Sequence, residues 1–317
     1  MTMTKRHAWG LWIVFAILLI LPCVVPNSFY LGLATRMAIN AVIVLMLNML
    51  IGYAGQISMG HVGFLGIGAY ASAVLPTHYG WHTLVAMAAG AVASGLLAGA
   101  VARPIFKLKG HYLAMATLGM GIIINIVLRT ETAYTGGPDG MAVPPLGLWG
   151  FELAGEQAWY WVAALLLAFS TWASLNLTNS PFGRALRALH GSEVAAQVAG
   201  IDVVRYKVAI FVISAVVTSM MGSVTAHYLA FVTPSVADFM HSIEFVTMVV
   251  IGGMASVFGS LVGAALLTAL PEALAALEGW DTVALGVILV VCMIFLPKGL
   301  VPTLAARFCR ERDDGAA

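Results

Sequence analysis

Apolar runs of roughly 20 residues recur along the whole chain, divided by short polar clusters, which is the spacing of membrane spans. The pattern predicts ten crossings, near residues 9–25, 31–51, 57–76, 82–102, 111–129, 158–177, 208–230, 243–256, 258–276 and 282–298. The eighth and ninth are each shorter than a full span, and they meet at Gly252, Gly253 and Gly259. A pair of half-helices or a re-entrant turn is expected there, since loosened backbone at membrane depth needs protein or a wet cavity to satisfy it. A comparable Gly-rich stretch, GYAGQISMGHVGFLGIGAY, runs from Gly52 to Tyr70. Ten crossings divide into five plus five, and a repeat of an odd number of spans must be inverted relative to its partner. Gly55-Gln-Ile-Ser58 and Gly253-Met-Ala-Ser256 would then hold comparable places in the two halves. The expected fold is an all-α membrane protein of about ten transmembrane or half-spanning helices, one polytopic domain over residues 1–317.

Composition agrees with that class. Hydrophobic residues make up 61% of the chain and charged residues 9%, against about 25% charged in soluble domains. No basic surface suggests nucleic acid. The three cysteines, Cys23, Cys292 and Cys309, have neither disulfide-framework nor metal-site spacing. Lys5 and Arg6 before an apolar run resemble a signal peptide in outline, but no small-residue cleavage site follows, so an uncleaved first span is expected.

Charge orients the spans. With the ten crossings in place, thirteen of the fifteen basic residues fall on one side, leaving Arg36 and Arg129 near the other. The bias of Lys and Arg makes that side cytoplasmic, with both termini on it. The longest outer loop, 130–157, contains TGGPDG at Thr135 to Gly140. This is a dense turn signal, and its outer placement makes Gly136, Gly137 and Asp139 candidates for docking an external partner. The basic loop from Arg103 to Lys109 reads as an anchor at anionic headgroups of the bilayer.

Polar residues within apolar runs are the candidates for function. Gln56, Ser58 and His61 put three hydrogen-bonding groups within six residues of an apolar surround, costly unless they are partnered or wet. Together with Gly55, Gly252, Gly253 and Ser256 they are the expected lining of a translocation pathway. Packing is the plainer explanation of the glycines, because small residues let helices approach closely. Asn40, Asn48, Thr117 and Asn125 read as bonds between helices.

The single long polar stretch is SPFGRALRALHGSEVAAQVAGIDVVRYK, residues 180–207. It is helical in pattern, carries a positive excess and lies between two spans, so it is a cytoplasmic loop suited to docking a soluble partner. No G-x-x-x-x-G-K-[ST] segment occurs, so the chain does not hold ATP in that manner.

Read together, GYAGQISMGHVGFLGIGAY, TGGPDG and SPFGRALRALHGSEVAAQVAGID, with GGMASVFGSLVGA at 252–264, resemble LivM-type permeases, the membrane subunits of branched-chain (hydrophobic) amino-acid ABC importers. The 180–207 loop resembles the EAA loop of ABC permeases. Val194, Ala195, Ala196 and Gly200 keep its spacing, while the Glu is displaced to Glu193. The resemblance implies coupling through Arg184, Arg187, Glu193, Ala195, Ala196 and Gly200. It implies a second, LivH-like permease, two LivG- and LivF-like ATPases that carry the ATP and Mg, a periplasmic binding protein, and the bacterial inner membrane. This chain itself would bind no cofactor. Related substrates, namely urea, short amides or organic acids, stay open. So does an ion-coupled secondary transporter, although every acidic residue falls in a loop or near a span end and His61 is the only well-buried imidazole for such a role. No HExxH, no GxSxG and no carboxylates paired at helical spacing within an apolar run point to a membrane-embedded enzyme.

Overall fold

A computed structural model describes residues 5–24, 27–108, 110–148, 151–153, 155–274, 283, 286–287, 290–291, 294–295 and 299–303. The crossing expected at 282–298 lies largely outside the described residues, as do Cys309 and the basic tail. The helices are α1 (Lys5–Val24), α2 (Ser28–Asn48), α3 (His61–Tyr79), α4 (Thr83–Ile105), α5 (His111–Thr130), the single turn α6 (Thr132–Thr135), α7 (Glu156–Asn179), α8 (Pro181–Gly191), α9 (Glu193–Val198), α10 (Val203–Leu229), α11 (Phe239–Gly252) and α12 (Val257–Leu274). Among the described residues, six stretches are long and apolar enough to cross a membrane, namely Ser28–Tyr53, Thr83–Ile105, His111–Thr130, Glu156–Asn179, Val203–Leu229 and Val257–Leu274. Shorter apolar helices cover Trp9–Pro22 and Phe239–Gly252. The chain is an all-α membrane protein.

Helix α2 is the buried spine, closed to solvent over most of its length from Leu31 to Asn48. It packs against α7, α12, α10 and α11. Helix α3 packs between α10 and α4 and is buried nearly all round from His61 to Ala73. Small residues set how closely α10 lies on α3. A Cβ on Gly68 would strike the carbonyl oxygen of Ser219, and one on Gly222 would strike that of Leu65. The backbones touch because these two positions carry no side chain.

Two breaks interrupt the helical ladder. After α2 the chain widens into one loose turn, Met49–Tyr53, closed where the Gln56 amide donates to the Leu50 carbonyl at 3.0 Å. It then runs without regular structure through residues 54–60, with Gly55 at φ +67, before α3 begins. The span expected from residue 57 therefore starts at His61, because hydropathy alone does not register that Gly55 and Gly60 interrupt the helix. The second break, residues 253–256, divides α11 from α12 where the sequence predicts it. With 14 residues α11 is about 21 Å long, short of a hydrocarbon core of about 30 Å. The two helices fold back on each other through glycine, since a Cβ on Gly252 would strike the Gly259 carbonyl oxygen and one on Gly263 that of Met248.

At one end of the bundle α8 and α9 bridge α7 and α10. At the other, residues 130–157 form short turns and two small strand pairs. β1 (Met141–Ala142) pairs antiparallel with β4 (Phe231–Val232), and β2 (Gly147–Leu148) with β3 (Phe151–Glu152).

Candidate functional site

The 180–207 segment is built from two capped helices. Ser180 caps α8, accepting from the Gly183 amide at 3.2 Å, with Pro181 at the first helical position. Ser192 caps α9, accepting from the Ala195 amide at 3.3 Å. Both follow the preference for a hydroxyl at a helix start. Helix α8 is strongly two-faced, burying Ala185, Leu186 and Leu189 while Arg184 and Arg187 stay on the outer face. The two arginines reach back to the end of α7. Arg187 donates to the Thr178 carbonyl at 2.8 Å and Arg184 to the Asn179 carbonyl at 3.3 Å. Cations there complement the negative helix end.

Of the EAA-like residues, Ala196 is buried and Ala195 is exposed. Gly200 takes φ +81, where a side chain is strained, and its amide closes the end of α9 on the Gln197 carbonyl at 2.9 Å. Glu193 faces inward to α10, its Oε1 accepting from Lys207 Nζ at 2.6 Å. The Lys207 side chain is only 4% exposed and that of Glu193 33%. Beside Ala195 and Gln197, α9 presents two large apolar side chains outward: Val194 is 69% and Val198 85% exposed. Sequence reading included Lys207 in the loop's charge but assigned it no role. The run-based boundary placed it outside a helix that in fact starts at Val203, where Asp202 caps the chain by accepting from the Arg205 amide.

The first break lies beside this loop. A Cβ on the exposed Gly55 would sit 3.1 Å from His190 Nδ1 of α8. Gln56 is buried and its amide donates to the Ala54 carbonyl at 3.0 Å. Ser58 Oγ lies 3.0 Å from His61 Nδ1, and His61 Nε2 lies 2.8 Å from Ser214 Oγ on α10. The imidazole is packed edge-on by Phe64 and Phe211. Both of its ring nitrogens are engaged, so the Ser58–His61–Ser214 relay joins the base of α3 to α10.

The second break rests on Asn48. Its side-chain amide donates to Ser260 Oγ at 2.6 Å and the Ser256 carbonyl at 2.9 Å, and its carbonyl accepts from the Ala255 amide at 3.0 Å. Ala255 holds φ +58, and Gly253 holds φ +119. One buried side chain thus satisfies part of the loosened backbone. Ser256 accepts from the Gly259 amide at 3.0 Å and starts α12. The two breaks also touch, because a Cβ on Gly52 would strike the Ala255 amide nitrogen. Sequence reading took Asn48 as a bond between helices. A polar residue in an apolar run was the available signal, but its partners lie some 205 to 212 positions away.

The far end holds the TGGPDG turn. Thr135 Oγ1 lies within hydrogen-bond reach of the Leu128 carbonyl at 2.8 Å, with the Glu131 carbonyl also in contact, and it accepts from the Gly137 amide at 3.1 Å. Gly136, Gly137 and Gly140 hold φ +74, +60 and +75. Gly137 is buried, whereas Pro138 and Asp139 form an exposed tip. A Cβ on Gly137 would lie 3.4 Å from the Arg129 carbonyl oxygen, so the turn sits on the end of α5. Below it a cavity of about 190 Å³ opens between α3, α5 and α11, with Met59 of the first break, Asn125, Arg129, Asp238 and Ser242 in its wall. Among the described residues no group of three His, Cys, Asp or Glu side chains is placed to hold a metal.

The branched-chain amino acid transport system permease component family matches residues 29–296. The chain is 34% identical, over 85% of its length and 69% of the relative's, to the high-affinity branched-chain amino acid transport system permease protein LivM of Escherichia coli strain K12. It is 26% identical to LivH of the same organism, over 82% of this chain and 90% of that one. A ribose import permease protein, RbsC of Haemophilus influenzae, is 29% identical over 37% of each chain. No solved structure matches. With apolar helices built round two glycine-rich breaks and a family match that covers most of its length, the chain belongs to the branched-chain amino acid transport system permease component family and is a multi-pass membrane transport protein.

Proposed function

We propose that this chain is one permease subunit of an ABC importer in the bacterial inner membrane and carries branched-chain or other hydrophobic amino acids into the cytoplasm. A LivH-like second permease completes the membrane core. Two LivG- and LivF-like ATPase subunits bind ATP and Mg and seat on α8 and α9, which puts both termini in the cytoplasm. A periplasmic binding protein docks at the exposed Pro138–Asp139 tip, which the buried Gly137 and its neighbour Gly136 hold in its turn. The observation that carries the reading is the exposed apolar face of α9, Val194 and Val198, on a polar loop. Two exposed valines on one turn suit a groove on a soluble partner.

The mechanism follows the contacts. Movement of α9 on the ATPases reaches α10 through Glu193 and Lys207. Lys207 and Ser214, seven residues apart, lie on one face of α10 about two turns from each other. Ser214 then passes the movement to His61 and the first break, so a docked helix can favour one arrangement of the spans by its differential contact with the two states. The two breaks, with Gly55, Gln56, Ser58 and His61 in one and Gly252, Gly253 and Ser256 in the other, form the moving wall of the route. Arg184 and Arg187 keep α8 rigid against α7, and Ala195, Ala196 and Gly200 shape the docking turn.

The test is to express the tagged chain from its native operon, extract it in mild detergent, identify copurifying polypeptides and measure leucine uptake in proteoliposomes. Recovery of a second permease and two ATPases with ATP-driven uptake supports the proposal. A lone chain that transports without ATP refutes it.

A further inference from the structure

The cavity under the TGGPDG turn combines opposite charges with apolar walls. Arg129, from the last turn of α5, faces Asp238, which precedes α11, at 3.9 Å. That separation is too long for a hydrogen bond, so both charges keep capacity for a guest. Asp238 uses its Oδ1 to cap α11 by accepting from the Phe239 amide at 2.6 Å, while Oδ2 is the atom turned to Arg129. Asn125 donates its amide to the Pro234 carbonyl at 2.8 Å. Ser242 donates to the Met59 carbonyl at 2.6 Å and ties the cavity floor to the first break. Met59, Val62 and Ile122 supply apolar surface. A second polar cavity, between α2, α10, α11 and α12, differs in that Arg36 and Glu272 are bonded to each other at 3.0 Å.

We infer that this cavity is a binding station for an aliphatic α-amino acid in its zwitterionic form, with Arg129 taking the carboxylate, Asp238 the ammonium and the Met59–Val62–Ile122 surface the side chain. The inference rests on the permease reading and names where in the chain the cargo first rests. A volume of about 190 Å³ is that of roughly six waters, which fits a single small solute. The loose Arg129–Asp238 pair opens to admit the two ends of the guest, and each charge exchanges a half-exposed partner for a closer one. Because the floor is the Met59 carbonyl, release toward the first break requires the Ser242–Met59 bond to part.

The test uses the complete complex in nanodiscs without ATP, with Cys23, Cys292 and Cys309 replaced by Ser and Ile122→Cys as a reporter in the cavity wall. Labelling by a small thiol reagent is followed against added leucine, leucinamide, which lacks the carboxylate, and 4-methylpentanoate, which lacks the ammonium. Leucine is expected to protect, and the two analogues to protect far less. Arg129→Gln and Asp238→Asn should each raise the half-protecting leucine concentration about tenfold, the loss of one charge-assisted bond. Asn caps a helix as well as Asp, so Asp238→Asn removes the charge and keeps the α11 cap. Protection that is unchanged in both variants, or equal for leucine and its analogues, overturns the inference. ATP-driven leucine uptake by the wild-type complex is read separately. Uptake without protection sinks the station and leaves the permease reading standing, whereas protection without uptake sinks the permease reading and leaves the binding site.

Discussion

Removing either partner of the Glu193–Lys207 pair should have unequal effects, and the inequality comes from burial. Lys207 Nζ donates to Glu193 Oε1 at 2.6 Å, with the lysine side chain 4% exposed and the glutamate 33%. Glu193→Ala strands an ammonium that cannot reach water. Stranding a fully buried charge costs 3–5 kcal/mol, and the partial exposure of the partner lowers the figure to about 2–3 kcal/mol here. Lys207→Met keeps the apolar stem in place and leaves a carboxylate that can turn to solvent, at a cost of about 1 kcal/mol or less. The double variant should resemble Lys207→Met alone, which gives a coupling energy equal in size to the Glu193→Ala cost, about 2–3 kcal/mol. The assay is reversible unfolding of the purified chain in mixed detergent and SDS micelles, followed by helicity. All three variants should also hydrolyse ATP without proportionate uptake once assembled with their partners, because the step from α9 to α10 is missing. Equal costs for the two single changes, with an additive double, would falsify the argument from burial.

Other consequences can be checked by the same unfolding assay. Asn48→Leu should cost about 1–3 kcal/mol, since the Ala255 amide loses its acceptor inside the protein, and an unchanged midpoint would show that the second break is satisfied some other way. Gly222→Val drives a side chain into the Leu65 carbonyl and should cost about 3 kcal/mol or more, with α3 and α10 forced apart. A crosslink between cysteines on those two helices that still forms at the wild-type rate would contradict this. Gly200→Ala should cost about 1 kcal/mol for its φ of +81. Gly200→Pro should be worse, because proline cannot reach that angle and removes the amide that closes α9. Hydrogen exchange across residues 193–200 reads the difference, and equal protection in both variants would count against the turn's role.

How much of the site was legible depends on the range of the contact. The caps and turns at Ser180, Ser192, Gly200 and Thr135–Gly140 involve partners a few residues away, and residue type alone marks them. The α11–α12 break was legible for the same reason, as a cluster of glycines in short apolar runs. The irregular segment before His61 was not, because hydropathy counts Gln56, Ile57 and Ser58 into an apolar average and does not register the glycines as interruptions. Glu193 was legible as a member of a docking loop, but not as the partner of a lysine that hydropathy placed in the same loop.

By itself the sequence determined the class, the sidedness expected from its basic residues, the existence of a polar loop between spans and the glycine-rich places where helices could break. Those follow from local composition, since a bilayer admits only segments that satisfy their own backbone. The tertiary structure decided which polar groups meet. Asn48 could have bonded any neighbouring helix, and it holds the Gly253–Ser256 break; His61 could have faced water, and it spans Ser58 and Ser214. Arg129 and Asp238, 109 positions apart, became opposite walls of one cavity. In an apolar chain every helix has a surface that lipid or protein could cover equally well, so only the packing of small residues against backbone selects the neighbours, and with them the partners of each polar side chain.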